Sequence, residues 1–192
     1  MSWQSWQHLG NLSPRQFVCG FCSDKVGAHM GYHNSHNGHL IYICPNCGAP
    51  TYFVGNIQHP GAIIGRSIKN LPEDVNEVYR EIRESVQNAC YTAAVLLGRK
   101  LLMHIAVDIA KAKEGNSFVS YIDHLSKSGY IPPHGGKWLT FVKDIGNEKN
   151  HELKIGEKDE SEKILKFIEV LLIFIYEFPN ELPDEEVATP TT

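Results

Sequence analysis

Two cysteine pairs constrain the fold of this chain more than any other feature. Cys19-Gly20-Phe21-Cys22 and Cys44-Pro45-Asn46-Cys47 each hold their thiols two residues apart, with some twenty residues between the pairs. Four thiolates grouped in this way are what a tetrahedral zinc ion requires. Gly20 and Gly48 stand where a tight knuckle needs a residue free to take a positive φ, and Pro45 pre-sets the second turn. Two disulfides, or a redox pair, are the alternatives. Redox pairs come singly, and Met1-Ser2-Trp3-Gln4-Ser5-Trp6 has neither the basic nor the apolar stretch of a secretion signal. The expectation is therefore a reducing cytoplasm and a structural Zn2+ on Cys19, Cys22, Cys44 and Cys47. A closed four-cysteine site leaves no open position for a substrate. The fifth cysteine, Cys90, lies in an apolar segment and reads as a small buried hydrophobe.

Charge is divided unevenly along the 192 residues. Residues 1–70 carry four basic groups and one acid, net +3, and residues 71–192 carry 14 basic and 21 acidic groups, net −7, giving −4 in all. A zinc ion on four thiolates adds about −2 to the first part. No strong electrostatic grip on nucleic acid follows from this distribution.

The pattern predicts an α+β chain in five parts: a polar lead-in at 1–16, a zinc ribbon of short strands at 17–55, a linker at 56–70, a helical bundle at 71–178, and a disordered acidic tail at 179–192. Leu40-Ile41-Tyr42-Ile43 and Tyr52-Phe53-Val54 read as strands around the second knuckle. Between the knuckles, His29, His33, His36 and His39 lie in a Gly/Asn-rich stretch, either as loop residues or as a second metal site. Trp3 and Trp6 pack on the bundle or dock on a partner.

Pro72-Glu73-Asp74 is a helix start, because proline costs nothing in the first turn and acids face the positive end of the dipole. Val75, Val78, Tyr79, Ile82 and Val86 follow at helical spacing. Further helices are expected at 90–113, apolar nearly all round, at 118–126, and from 137, where Trp138, Leu139, Phe141, Val142 and Ile145 face inward. The last, at 161–177, falls short of the ~20 apolar residues that cross a bilayer. It reads as a core or subunit-interface helix, and no membrane partner is expected.

One stretch of the fourth helix is suited to chemistry. If the helix continues, Lys143, Asn147 and His151 share a face, each ~6 Å and ~40° from the last. A histidine, an amide and an ammonium on one stripe suit cleavage of an RNA phosphodiester. Gly146-Asn147 is equally a common helix terminus, which would leave His151 in a loop.

Leu71-Pro72-Glu73-Asp74-Val75, the run Ala93 to Lys100, and Ile145-Gly146-Asn147-Glu148-Lys149-Asn150-His151 resemble the domain of unknown function 4145 family, itself similar to the HEPN superfamily. The resemblance covers roughly residues 71–178. It implies a four- to five-helix bundle paired as a homodimer, a setting in restriction or other phage defence, and a companion defence protein or nucleic acid as partner. An N-terminal zinc ribbon commonly accompanies this domain. Many HEPN proteins are metal-independent ribonucleases that use an arginine and a histidine. Here the expected arginine position holds Gly146, and Lys143 stands one turn too early. The resemblance therefore implies a dimerising, partner-binding module without efficient catalysis. The alternatives are a ribonuclease using His151, Asn147 and Lys143, and a purely structural assembly protein.

Overall fold

A computed structural model describes residues 5–34, 37–131, 135–145 and 155–181. The chain is α+β and divides into two compact units, Met1–Ile64 with Arg83–Tyr91, and Gly65–Ile82 with Thr92–Thr192.

The first unit is a five-stranded antiparallel meander: β1 (Gly10–Val18), β2 (Lys25–His33), β3 (His39–Ile43), β4 (Pro50–Val54) and β5 (Ile57–His59), hydrogen-bonded in chain order. Phe17, Val26, Ala28, Tyr42 and Phe53 form its core with Cys19 and Cys44. The Phe17 and Phe53 rings meet edge to face at 5.2 Å, and Tyr42 and Phe53 at 5.7 Å. The Tyr42 hydroxyl reaches the Ser13 carbonyl at 2.8 Å, so the one polar atom of this ring cluster is satisfied. A Cβ on Gly31 would stand 1.8 Å from the Ile41 carbonyl oxygen, so only glycine lets β3 pass there.

Two strands lie outside the span 17–55. Most of β1 falls in the stretch expected to be a polar lead-in, and β5 in the stretch expected to be a linker. β1 is polar along most of its length; its pairing with β2 is interrupted by a register shift between Asn11 and Arg15.

Helix α1 (Glu73–Gln87) belongs to the second unit as far as Ile82 and to the first from Arg83. The second unit continues with α2 (Tyr91–Asp108), α3 (Phe118–Lys127), α4 (Gly136–Ile145) and α5 (Lys158–Leu172). A π-helical turn (Ile173–Glu177) and a 3-10 turn (Phe178–Asn180) follow. Tyr79, Ile82, Leu102, Ile105, Ile122, Leu125, Ile164, Leu165, Ile168 and Leu172 are among its fully buried side chains. At Gly98 of α2 a Cβ would meet Ile168 and Ile164 at 3.1 and 3.2 Å, which marks a close helix crossing. Ser117 caps α3 through the Ser120 amide. Among the described residues no helix is long and apolar enough to cross a membrane.

Glu177 pins the start of this unit to its end. Its carboxylate accepts both Arg66 guanidinium nitrogens, at 2.8 and 3.0 Å, and the Lys69 amide at 3.1 Å. The Arg66 hydrogen bonds, then the Lys69 amide, hold the Glu177 carboxyl below its ordinary range.

Two expectations need correction. Cys90 is exposed, because it sits in the break between α1 and α2 rather than within the apolar run of α2. Trp138 is 37% exposed; α4 turns Val142 and Ile145 fully inward, but Trp138 stands in its first turn with Phe167 stacked on one face, at 6.3 Å.

Candidate metal centre

The two knuckles are built alike. In the first, the Ser23 amide donates to the Cys19 carbonyl (3.0 Å) and the Cys19 amide to Asp24 (2.9 Å). In the second, Gly48 donates to Cys44 (2.9 Å) and Cys44 to Ala49 (2.9 Å). The residue after each second cysteine takes a positive φ, 63° at Ser23 and 75° at Gly48. Gly48 thus plays the part its position suggests. Gly20 does not: its φ is not positive, and it is required because a Cβ there would stand 2.5 Å from the Gly61 carbonyl oxygen.

Side chains from the same unit fasten the knuckles. Gln58 Nε2 donates to Val18 and Pro60 carbonyls, and Gln87 Nε2 to those of Gly20 and Gly61. Asn46 donates to Asp24 at 3.1 Å, tying one knuckle to the other. Trp6 Nε1 donates to the Gly48 carbonyl at 2.8 Å, and its ring meets Tyr32 at 6.3 Å. Trp6 is thereby placed on the second knuckle; Trp3 lies outside the described residues.

The four sulfurs lie within 4.8 Å of one another. Cys19 and Cys47 are 3.7 Å apart, and Cys22 and Cys44 3.8 Å. A disulfide needs about 2.05 Å, so none is formed here. A regular tetrahedron with metal–sulfur bonds of about 2.3 Å has edges of about 3.8 Å. The donor set and its spacing therefore fit a tetrahedral, thiophilic metal ion. Its electrostatics agree. Burial pushes the Cys19 and Cys22 thiols up, more than the neighbouring amides pull them down. At Cys44 burial also acts upward, but the Cys47 and Asn46 amides, with the Cys47 and Cys19 thiols, outweigh it and bring the group down. A divalent cation supplies the charge that lets all four ionise together.

Among the described residues these cysteines are the one group of three or more ligating side chains close enough to share an ion. His29 and His33 are exposed on β2, and His39 Nδ1 lies 2.5 Å from the Tyr52 hydroxyl. His36 lies outside the described residues.

The structure brings only part of the polar helix motif into view. Lys143 closes α4 and forms an ion pair with Asp123 of α3. Asn147 and His151 lie outside the described residues. Sequence reasoning overlooked a second grouping, Lys137, Trp138, Phe141 and Lys163, because Trp138 and Phe141 were assigned to the core.

Fold and site define a class: an α+β protein in which a four-cysteine cluster like that of a zinc ribbon organises a β unit and a helical unit follows in sequence. The family described as Domain of unknown function (DUF4145) matches residues 80–188, more than half of the chain, and the chain belongs to that family. No curated protein and no solved structure matches it.

Proposed function

We propose that this chain is a defence-associated, HEPN-like module that dimerises through its helical unit and binds a companion effector or nucleic acid without efficient catalysis. Its Zn2+ is structural and its setting the reducing cytoplasm. The observation that carries this reading is the spacing of the four sulfurs, 3.7 and 3.8 Å across two edges, which suits a closed metal site. Such a site shapes a recognition unit and offers a substrate no coordination position.

The absence of efficient catalysis is supported at Lys143. Its ammonium is engaged by Asp123, and the arginine position of ribonuclease relatives holds Gly146. Pairing is supported by α5 and the turns after it. Val170, Phe174 and Phe178 are exposed, and Phe174 and Phe178 line an apolar cavity of about 610 Å³ with Ile109, Tyr130, Ile175 and Pro179. An isologous interface needs one patch with both knobs and holes. The defence setting comes from the family resemblance.

The purified protein is expected to carry one zinc per chain by elemental analysis and to sediment as a dimer. Single-stranded RNA incubated with it should stay intact. RNA cleavage that disappears in His151→Ala would replace this reading with the ribonuclease one.

A further inference from the structure

The last turn of α1 is fastened to the first cysteine knuckle, and both belong to the β unit. Gln87 Nε2 donates to the Gly20 carbonyl at 2.6 Å and to the Gly61 carbonyl at 2.9 Å. One turn earlier, Arg83 Nε donates to the Ile64 carbonyl at 3.0 Å. Gly20, Gly61 and Gln87 meet backbone to backbone. A Cβ on Gly20 would stand 2.5 Å from the Gly61 carbonyl oxygen, and one on Gly61 would stand 2.7 Å from that of Gln87. Gly20 lies between Cys19 and Cys22. A shift of the knuckle therefore meets no side chain that could absorb it before it reaches the helix.

This turn has little else to hold it. Beyond Ile82, Val86 is the only buried side chain of α1. No basic residue stands in the last turn, and Glu84 puts a carboxylate near the negative end of the helix dipole. The helix closes in a Schellman motif: the Cys90 amide donates to the Ser85 carbonyl at 2.8 Å, and the Ala89 amide to that of Val86 at 3.1 Å. Ala89 takes a φ of 59° in it, at the position where glycine is usual and a side chain is strained.

We propose that the last turn of α1 is a metal-dependent latch. With an ion on the four cysteines, the knuckle holds the Gly20 carbonyl where Gln87 binds it, and α1 runs to Gln87. When the ion leaves, the turn from Arg83 to Gln87 unwinds and the link into α2 loosens. Metal loss in the β unit is thereby passed to the helix that leads out of it. The latch rests on the zinc reading above.

The test is hydrogen exchange of the full chain, read at residues 83–91, with zinc counted in the same samples before and after a strong chelator. Chelation should speed exchange there at least about tenfold and leave 73–82 unchanged. Gln87→Ala removes both bonds while installing the better helix former, so lost protection would not be an effect of propensity. In the zinc-loaded variant, exchange of 83–91 should rise about tenfold while zinc stays at one per chain. Zinc loss with exchange of 83–91 unchanged overturns the latch and leaves the zinc site standing. A protein that carries no zinc before chelation overturns both. Equal acceleration over 73–82 overturns the latch too, as melting of the whole helix, and so does a Gln87→Ala protein protected like the wild type.

Discussion

The β unit gathers seven buried residues into its core, two of them cysteines, whereas the helical unit buries more than twenty apolar side chains among its described residues. A cluster as small as the first cannot hold five strands by burial alone, and chains with so little core depend on disulfides or metals. The second carries full layers of Leu, Ile and Tyr contributed by its helices. The difference teaches where each unit must find its stability: the β unit in the ion its four cysteines can hold, the helical unit in burial. Each should fail by its own route.

The largest effect is expected from Cys44→Ser. Removing one thiolate leaves three ligands at a closed site whose complete set binds zinc with about 10–16 kcal/mol in small zinc modules. Bound zinc should fall to near zero, and limited proteolysis should cut within residues 10–59. Helical circular dichroism should stay largely intact.

Leu102→Ala tests the other side. Leu102 is fully buried in α2, and truncation should cost 2–5 kcal/mol, at about the level found for buried leucines elsewhere. Zinc content should not change. A fall in zinc together with helical stability would break the comparison, because it would mean that the units do not fail separately.

The smallest effect sharpens the likeness between the knuckles. Ser23 and Gly48 occupy equivalent left-handed positions, one strained by a side chain and one not. Gly48→Ala should destabilise the β unit by about 1 kcal/mol. Ser23→Gly should stabilise it by about 0.5 kcal/mol, the relief of strain being partly offset by the freedom of glycine in the unfolded chain. Chelator titration midpoints, shifted in opposite directions, would measure both.

Much of this division was legible in the residues. The C-x-x-C spacing located the four-cysteine cluster, and the proline–acid start and apolar periodicity located α1, α3 and α5 to within a few positions, whereas α2 ends at Asp108, short of the expected 113. What escaped did so for physical reasons. β1 carries no clear alternation of apolar and polar residues and is a strand because β2 pairs with it, a contact that local pattern does not encode. β5 is a three-residue edge strand, too short for a period. Trp138 lies at helical spacing from Val142 and Ile145, so periodicity assigned it to the core. It stands in the first turn of α4, with Phe167 stacked on one face and Phe141 edge-on, and is 37% exposed. Gly20 was assigned a turn role, but its true constraint is Gly61, distant in sequence.

Hydrogen exchange followed by mass spectrometry, with and without a strong zinc chelator, tests the central claim most directly. Removal of the metal should strip protection from residues 10–59 and leave peptides from 92–108 and 158–172 as protected as before. Protection of residues 10–59 that survives complete removal of the metal would contradict the account.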